Sequence, residues 1–162
     1  MKYVLYLDPS LRYFGLSVVA HPLNTRRAPK LVHSECIATK AGVPDVECLK
    51  SIASRLLTVT EIWTIDRVVC ESFIGSKSAT AAKSLGYVQG LVVGMCIALG
   101  LPCTYHSAVS VKNKLTGSKN ADKDEVLASV LKLFPELETF MKGKNKEIQW
   151  AMSDSCALFV CG

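Results

Sequence analysis

A chain of 162 residues, 49% of them hydrophobic, is too apolar to be disordered and long enough to bury a core, so one domain spanning 1–162 is expected. A formal net charge of +5 permits a polyanionic partner without demanding one. Seven cysteines, odd in number and without a Cys-x-x-Cys or a zinc-like pairing with the three histidines, argue against a disulfide-stapled framework and suit a reducing, cytoplasmic compartment.

Tyr3 to Leu7 reads as a short buried strand that stops on Asp8, with Pro9 and Ser10 favouring a turn. The N-terminus runs straight into this strand, so no signal or transit segment is expected. Gly15 to Ala20 is a second apolar run, placed to return as the antiparallel partner. An acid at the end of a buried strand needs a counter-charge, and a metal is one supplier; a plain turn cap is the other reading. Leu31 to Ile37 suits a third, edge-like strand after a polar loop. Val46, Leu49, Ile52, Ala53, Leu56 and Leu57 then follow helical spacing, with Asp45 at the expected N-cap.

Val68 to Cys70 is another short strand, and it too runs into an acid, Glu71. With a helix before it, this strand is expected parallel to the first, so Asp8 and Glu71 can meet at one sheet edge. Ser72 to Ser78 is a polar loop carrying Phe73, Ile74 and Lys77. A long helix is expected from Ala79 to Leu99, with Gly86, Gly90 and Gly94 recurring every four residues. Glycine costs helix stability, so the stripe implies a close backbone neighbour, either this protein's own sheet or a second copy. The apolar run from Leu85 to Leu101 is too short, and too interrupted by Gln89 and glycines, for a membrane span.

Leu101 to Tyr105 suits a fifth strand, and Ser107 to Leu115 a helix carrying Lys112. After a loop at Thr116 to Asn120, Ala121 to Glu125 opens a helix reaching Leu133. Acids in a first turn complement the helix dipole, whereas Lys123 among them is out of place for a purely structural role. A basic loop, Lys142 to Lys146, precedes a final helix from Gln149 to Val160. There Asp154 sits among apolar neighbours and either points to solvent or joins Asp8 and Glu71 as a third ligand. From Ser72 to Ala121 the charged residues are five lysines (77, 83, 112, 114 and 119) with no Asp or Glu, a footprint suited to nucleic acid.

Taken in order, these pieces resemble the RuvC family of Holliday-junction resolvases, within the ribonuclease H-like superfamily. Leu7-Asp8-Pro9-Ser10 with Gly15 resembles the family's first strand and turn, although the family usually has Gly after Asp-Pro. Glu71 with Lys77, Ala79, Leu85-Gly86 and Gly90 matches its second motif. Lys112 and Lys123, with Ala121 and Val126, resemble its third region, and Asp154-Ser155-Cys156-Ala157-Leu158 its last. One departure stands out: the family commonly has an acid or histidine one turn before the final Asp, where this chain has Ala151. Glu147 is roughly 10 Å further back along a helix, too far to share the metal without local unwinding.

The resemblance implies a mixed five-stranded α/β sheet, three antiparallel strands then two parallel, flanked by helices. It implies a homodimer that nicks two strands of a four-way DNA junction, with no membrane. Asp8 would bridge two Mg²⁺ ions (Mn²⁺ substituting) about 4 Å apart, with Glu71 and Asp154 flanking it. Lys123 would steady phosphate charge, Lys77, Lys112 and Lys119 would hold backbone phosphates, and Phe73 or Ile74 would wedge against an exposed base. A ribonuclease H-like nuclease acting on another nucleic acid, or a catalytically silent junction-binding module, are the alternatives.

Overall fold

The computed structural model describes the whole chain apart from Thr25 and residues 73–77. Five strands, β1 (Lys2–Asp8), β2 (Tyr13–His21), β3 (Lys30–Ala38), β4 (Ile65–Ser72) and β5 (Cys103–Ser107), form one sheet in the order β3-β2-β1-β4-β5. β1 to β3 are antiparallel neighbours, while β4 runs parallel to β1 and β5 parallel to β4. The expected sheet is therefore the observed one. Its parallel half exists because helices α1 (Asp45–Ile62) and α2 (Ala79–Leu99) return the chain to the starting edge.

The two sheet faces carry separate cores, divided by the two-residue period of the strands. Leu5 and Leu7 of β1, Leu16 and Val18 of β2, and Val68 and Cys70 of β4 face α1 and α2, which contribute Ile52, Leu56, Val88 and Val92. Val4, Tyr6, Val19 and Val69 face the other way. They lie under α3 (Ala108–Thr116), α4 (Lys123–Leu133), α5 (Leu137–Met141) and α6 (Lys146–Ala157), which contribute Val111, Val126, Val130, Leu137 and Met152. Each such buried aliphatic side chain stabilises the fold by about 1.5–3 kcal/mol relative to exposure.

Several boundaries differ from expectation for local reasons. Pro44, not Asp45, is the N-cap of α1, and Asp45 occupies the first turn, where its carboxylate meets Arg12 at 3.6 Å and Lys83 at 3.7 Å. β5 begins at Cys103 because Pro102 has no N–H for the ladder, although its carbonyl accepts from the Val68 N–H at 2.8 Å. The last helix starts earlier than expected, capped by Asn145, and tightens into a 3-10 turn over Leu158–Cys161. α5 is too short to show a period in sequence.

α2 has its expected limits, set by the Ser78 side chain at one end and left-handed Gly100 at the other. Val88, Val92 and Cys96 anchor one side of it to the sheet, while Tyr87, Val93, Ile97 and Leu99 on the rest of the helix are exposed. Among the described residues, and apart from the helix's own backbone, nothing lies within 4 Å of a Cβ added at Gly86, Gly90 or Gly94. The glycine stripe therefore does not serve packing against this chain's own sheet. Among the described residues α2 alone is long and apolar enough, by length and composition, to cross a membrane.

Candidate active site

Register brings the first two acids together. Leu7 of β1 is level with Cys70 of β4, and both point into the core beneath α1 and α2. One residue further on, Asp8 and Glu71 turn to the opposite face, the side of Tyr6 and Val69. β1 ends there because Pro9 cannot continue the ladder.

The third acid arrives through a backbone contact. α6 crosses β2 so closely that a methyl group at Gly15 would overlap the Ala151 carbonyl oxygen. Asp154, nearly one turn along α6, is thereby brought over Asp8, which pairs with Gly15 across the β1–β2 hairpin. Asp8, Glu71 and Asp154 line one cavity of about 290 Å³ with Lys112 of α3 and Lys123 of α4. A side lobe of about 240 Å³ shares Asp8, Lys123 and Asp154 and adds Ser10, Tyr13, Glu147, Trp150 and Ala151.

The electrostatics are those of crowded anions. Burial, then the charges of Glu71 and Asp154, push the Asp8 carboxyl well above its usual range, with Lys123 opposing. Glu71 is pushed up to about 7 by burial and by Asp154, against Lys112 and Lys123. Asp154 is raised by burial and held back by Lys123 and Lys112. Lys123 Nζ lies 3.9 Å from Asp154 Oδ2, and Lys112 Nζ donates to the Ala121 carbonyl at 2.8 Å, tying α3 to the start of α4. Two ammonium groups thus only partly compensate three acids. Oxygen donors with uncompensated negative charge fit a hard divalent cation. Among the described residues, no group of three or more His, Cys, Asp or Glu side chains is drawn together tightly enough to hold an ion as it stands.

Of the residues singled out in the sequence, Asp8, Glu71, Asp154, Lys112 and Lys123 share this cavity. Lys119 is exposed in the turn between α3 and α4, outside it. Phe73, Ile74 and Lys77 lie outside the described residues. Sequence reasoning missed Tyr13 and Trp150. The spacing of Trp150, four residues before Asp154 on one helix, was the available signal. Glu147, set aside for distance, lines the outer lobe as an exposed side chain.

A sheet of order β3-β2-β1-β4-β5, with acids near the ends of β1 and β4 and on the last helix facing one cavity, defines a ribonuclease H-like fold. A family model described as crossover junction endodeoxyribonuclease RuvC matches residues 4–161. The chain belongs to the RuvC family. A crossover junction endodeoxyribonuclease RuvC of Pelobacter propionicus is 28% identical over 162 residues, covering 98% of this chain and 84% of the relative. Thermus thermophilus RuvC, solved in complex with a Holliday junction substrate, matches with a TM-score of 0.76 at 22% identity, over 98% of this chain and 90% of that one. The yeast mitochondrial Holliday junction resolvase Ydc2 matches with a TM-score of 0.70 at 11% identity, over 97% and 75%. At such identities the two structures establish the shared fold.

Proposed function

We propose that this chain is a divalent-metal-dependent endonuclease that resolves four-way DNA junctions by paired nicks, with residues 1–162 acting as one nuclease domain. The observation that carries the reading is the convergence of Asp8, Glu71 and Asp154 with Lys112 and Lys123 on one cavity, in a member of the RuvC family. Seven free cysteines, four of them buried, suit a reducing compartment such as the cytoplasm.

Asp8, Glu71 and Asp154 would hold the cations, Mg²⁺ or Mn²⁺ and two per site, with Asp8 the shared ligand. Bound there, such ions supply positive charge to the scissile phosphate, the attacking water and the leaving 3′-oxygen. The protein's own contribution is fixed geometry. Strand register holds Asp8 and Glu71 side by side, and the Gly15–Ala151 contact sets the height of Asp154. Lys123 and Lys112 place ammonium charge where phosphate oxygens enter, offsetting repulsion between the polyanion and the acids. Exposed Lys119 would contact DNA beyond the cavity, and Phe73, Ile74 and Lys77 are further DNA contacts in this proposal.

A junction presents two equivalent strands, and a two-fold dimer offers one site to each. The outer face of α2 is the seam we propose. Its open glycine stripe lets a second α2 approach closely, and exposed Tyr87, Val93 and Ile97 beside it supply apolar surface to bury. The test is incubation of the protein with a mobile four-way junction and with linear duplex, in Mg²⁺ and in Mn²⁺. Junction-selective nicking supports the proposal. Junction binding without cleavage in either metal makes the chain a silent binding module.

A further inference from the structure

Lys123 is anchored at its backbone and held at its head by two different groups. Asp122 and Glu125 form a reciprocal capping box around the first turn of α4, each hydrogen bond 2.8 Å long, which fixes the Lys123 backbone. The side chain is 56% exposed, so a bare lysine there would spend much of its time in water. Instead its Nζ stands 5.2 Å from the centroid of the Trp150 ring and 3.9 Å from Asp154 Oδ2. Trp150 and Asp154 are four residues apart on α6, so ring and carboxylate share one helix face toward Lys123.

The ring is itself oriented by polar contacts. Trp150 Nε1 donates to Asp124 Oδ1 at 3.0 Å, and Lys146 Nζ donates to the same oxygen at 2.6 Å while lying 5.5 Å from the ring centroid. A hydrogen bond at the indole N–H favours the rotamer that keeps the ring beside Lys123, the residue before the acceptor. The separation from Asp154 is too long for a direct hydrogen bond, so the ammonium can turn to an incoming anion without leaving the ring.

We infer that Trp150 is a positioning residue: its ring holds the Lys123 ammonium at the mouth of the carboxylate cavity, poised for a phosphate oxygen. This rests on the nuclease reading above. The attraction is of the ring quadrupole for a cation, so an aromatic replacement retains it and an aliphatic one of similar bulk does not.

The test uses the full chain with Trp150→Leu and Trp150→Phe. Three readouts are taken: single-turnover cleavage of a four-way junction at saturating enzyme, junction affinity in EDTA by fluorescence anisotropy, and the ε-methylene proton shifts of Lys123 by NMR without DNA or metal. Trp150→Leu should cleave about ten-fold more slowly, with junction affinity changed less than about two-fold, because one held cation is a small part of a multi-phosphate contact. Trp150→Phe, which keeps an aromatic face but loses the bond to Asp124, should recover part of the rate. The Lys123 methylene protons should show a ring-current shift in wild type, a smaller one in Trp150→Phe, and none in Trp150→Leu. Equal rates for the Leu and Phe variants, or a wild-type rate for Leu, would overturn the inference. If wild type cleaves no junction, the nuclease reading falls, and the methylene shift alone decides: its presence supports the hold of Trp150 on Lys123, and its absence overturns it.

Discussion

Gly15 and Ala151, 136 positions apart in the chain, touch backbone to backbone: a Cβ on Gly15 would overlap the Ala151 carbonyl oxygen and lie 3.4 Å from the Asp8 Cβ. That contact lays the last helix on the first hairpin and brings Asp154 to Asp8. Glycine is needed there for space, not for an unusual backbone angle.

Gly15→Ala should therefore lift α6 off β2. Overpacking of this kind costs about 1–3 kcal/mol, a melting decrease of roughly 2–10 °C for a chain of this size. Displacing Asp154 should also lower cleavage by more than the melting change explains. Calorimetry and a cleavage assay at a temperature where both proteins are folded check this. An unchanged melt with wild-type cleavage would contradict it.

The crowded acids make stability depend on pH in a stated direction. Glu71 rises from an ordinary 4.5 to about 7 on folding, so the folded state binds its proton more tightly than the unfolded chain does. Its contribution is fully present below about 4.5 and is lost as pH rises through about 7; Asp8 and Asp154 act in the same direction. Metal-free protein should lose part of its thermal stability across that window, and Glu71→Gln should flatten the slope. Mg²⁺ should raise the melting temperature more at about pH 8 than at about pH 5.5, since binding ions needs the ionised acids. Equal shifts at both pH values would mean that these carboxyls do not hold the ion.

Ala151 is buried, 5% exposed, beside Asp8 and Asp154 in the outer lobe. Ala151→Asp adds a carboxylate there, and the Mg²⁺ concentration for half-maximal cleavage should fall, by about ten-fold if the new oxygen joins the ligand set. The metal-free melt should fall as well, since a fourth acid adds repulsion. An unchanged titration would place the remaining ligand elsewhere.

Gly90→Leu tests the proposed seam on α2. Among the described residues outside the helix's own backbone, none lies within 4 Å of the added Cβ, so the monomer should not be destabilised, and helix propensity favours leucine by about 0.8 kcal/mol. The bulk should instead keep two α2 helices apart. Sedimentation velocity over a range of concentrations should show a dimer for wild type and a dissociated species for the variant. A variant that stays dimeric would move the seam off this face.

What the sequence disclosed was whatever is local. Asp8 and Glu71 each follow a short apolar run, so their place at strand ends, and the parallel pairing that aligns them, could be read directly. The limits of α2 were visible because Ser78 and Gly100 are strong end signals. Contacts between distant segments were not visible. Gly15 looks like any hairpin glycine until Ala151 lies on it, and Trp150 looks like a core aromatic until Lys123 and Asp124 surround it. The glycine stripe showed that a neighbour was needed but not on which side.

The central claim is that Asp8, Glu71 and Asp154 form one metal-dependent centre that cuts junctions. The most direct measurement is cleavage of a four-way junction, labelled in turn on each strand, by wild type and Asp8→Asn, with binding measured in parallel. Wild type should nick two opposed strands in Mg²⁺ and leave linear duplex intact. Asp8→Asn should bind the junction as well as wild type or better, having lost a negative charge beside phosphate, and should cut at least about a thousand-fold more slowly. Cleavage by Asp8→Asn at the wild-type rate would contradict the account.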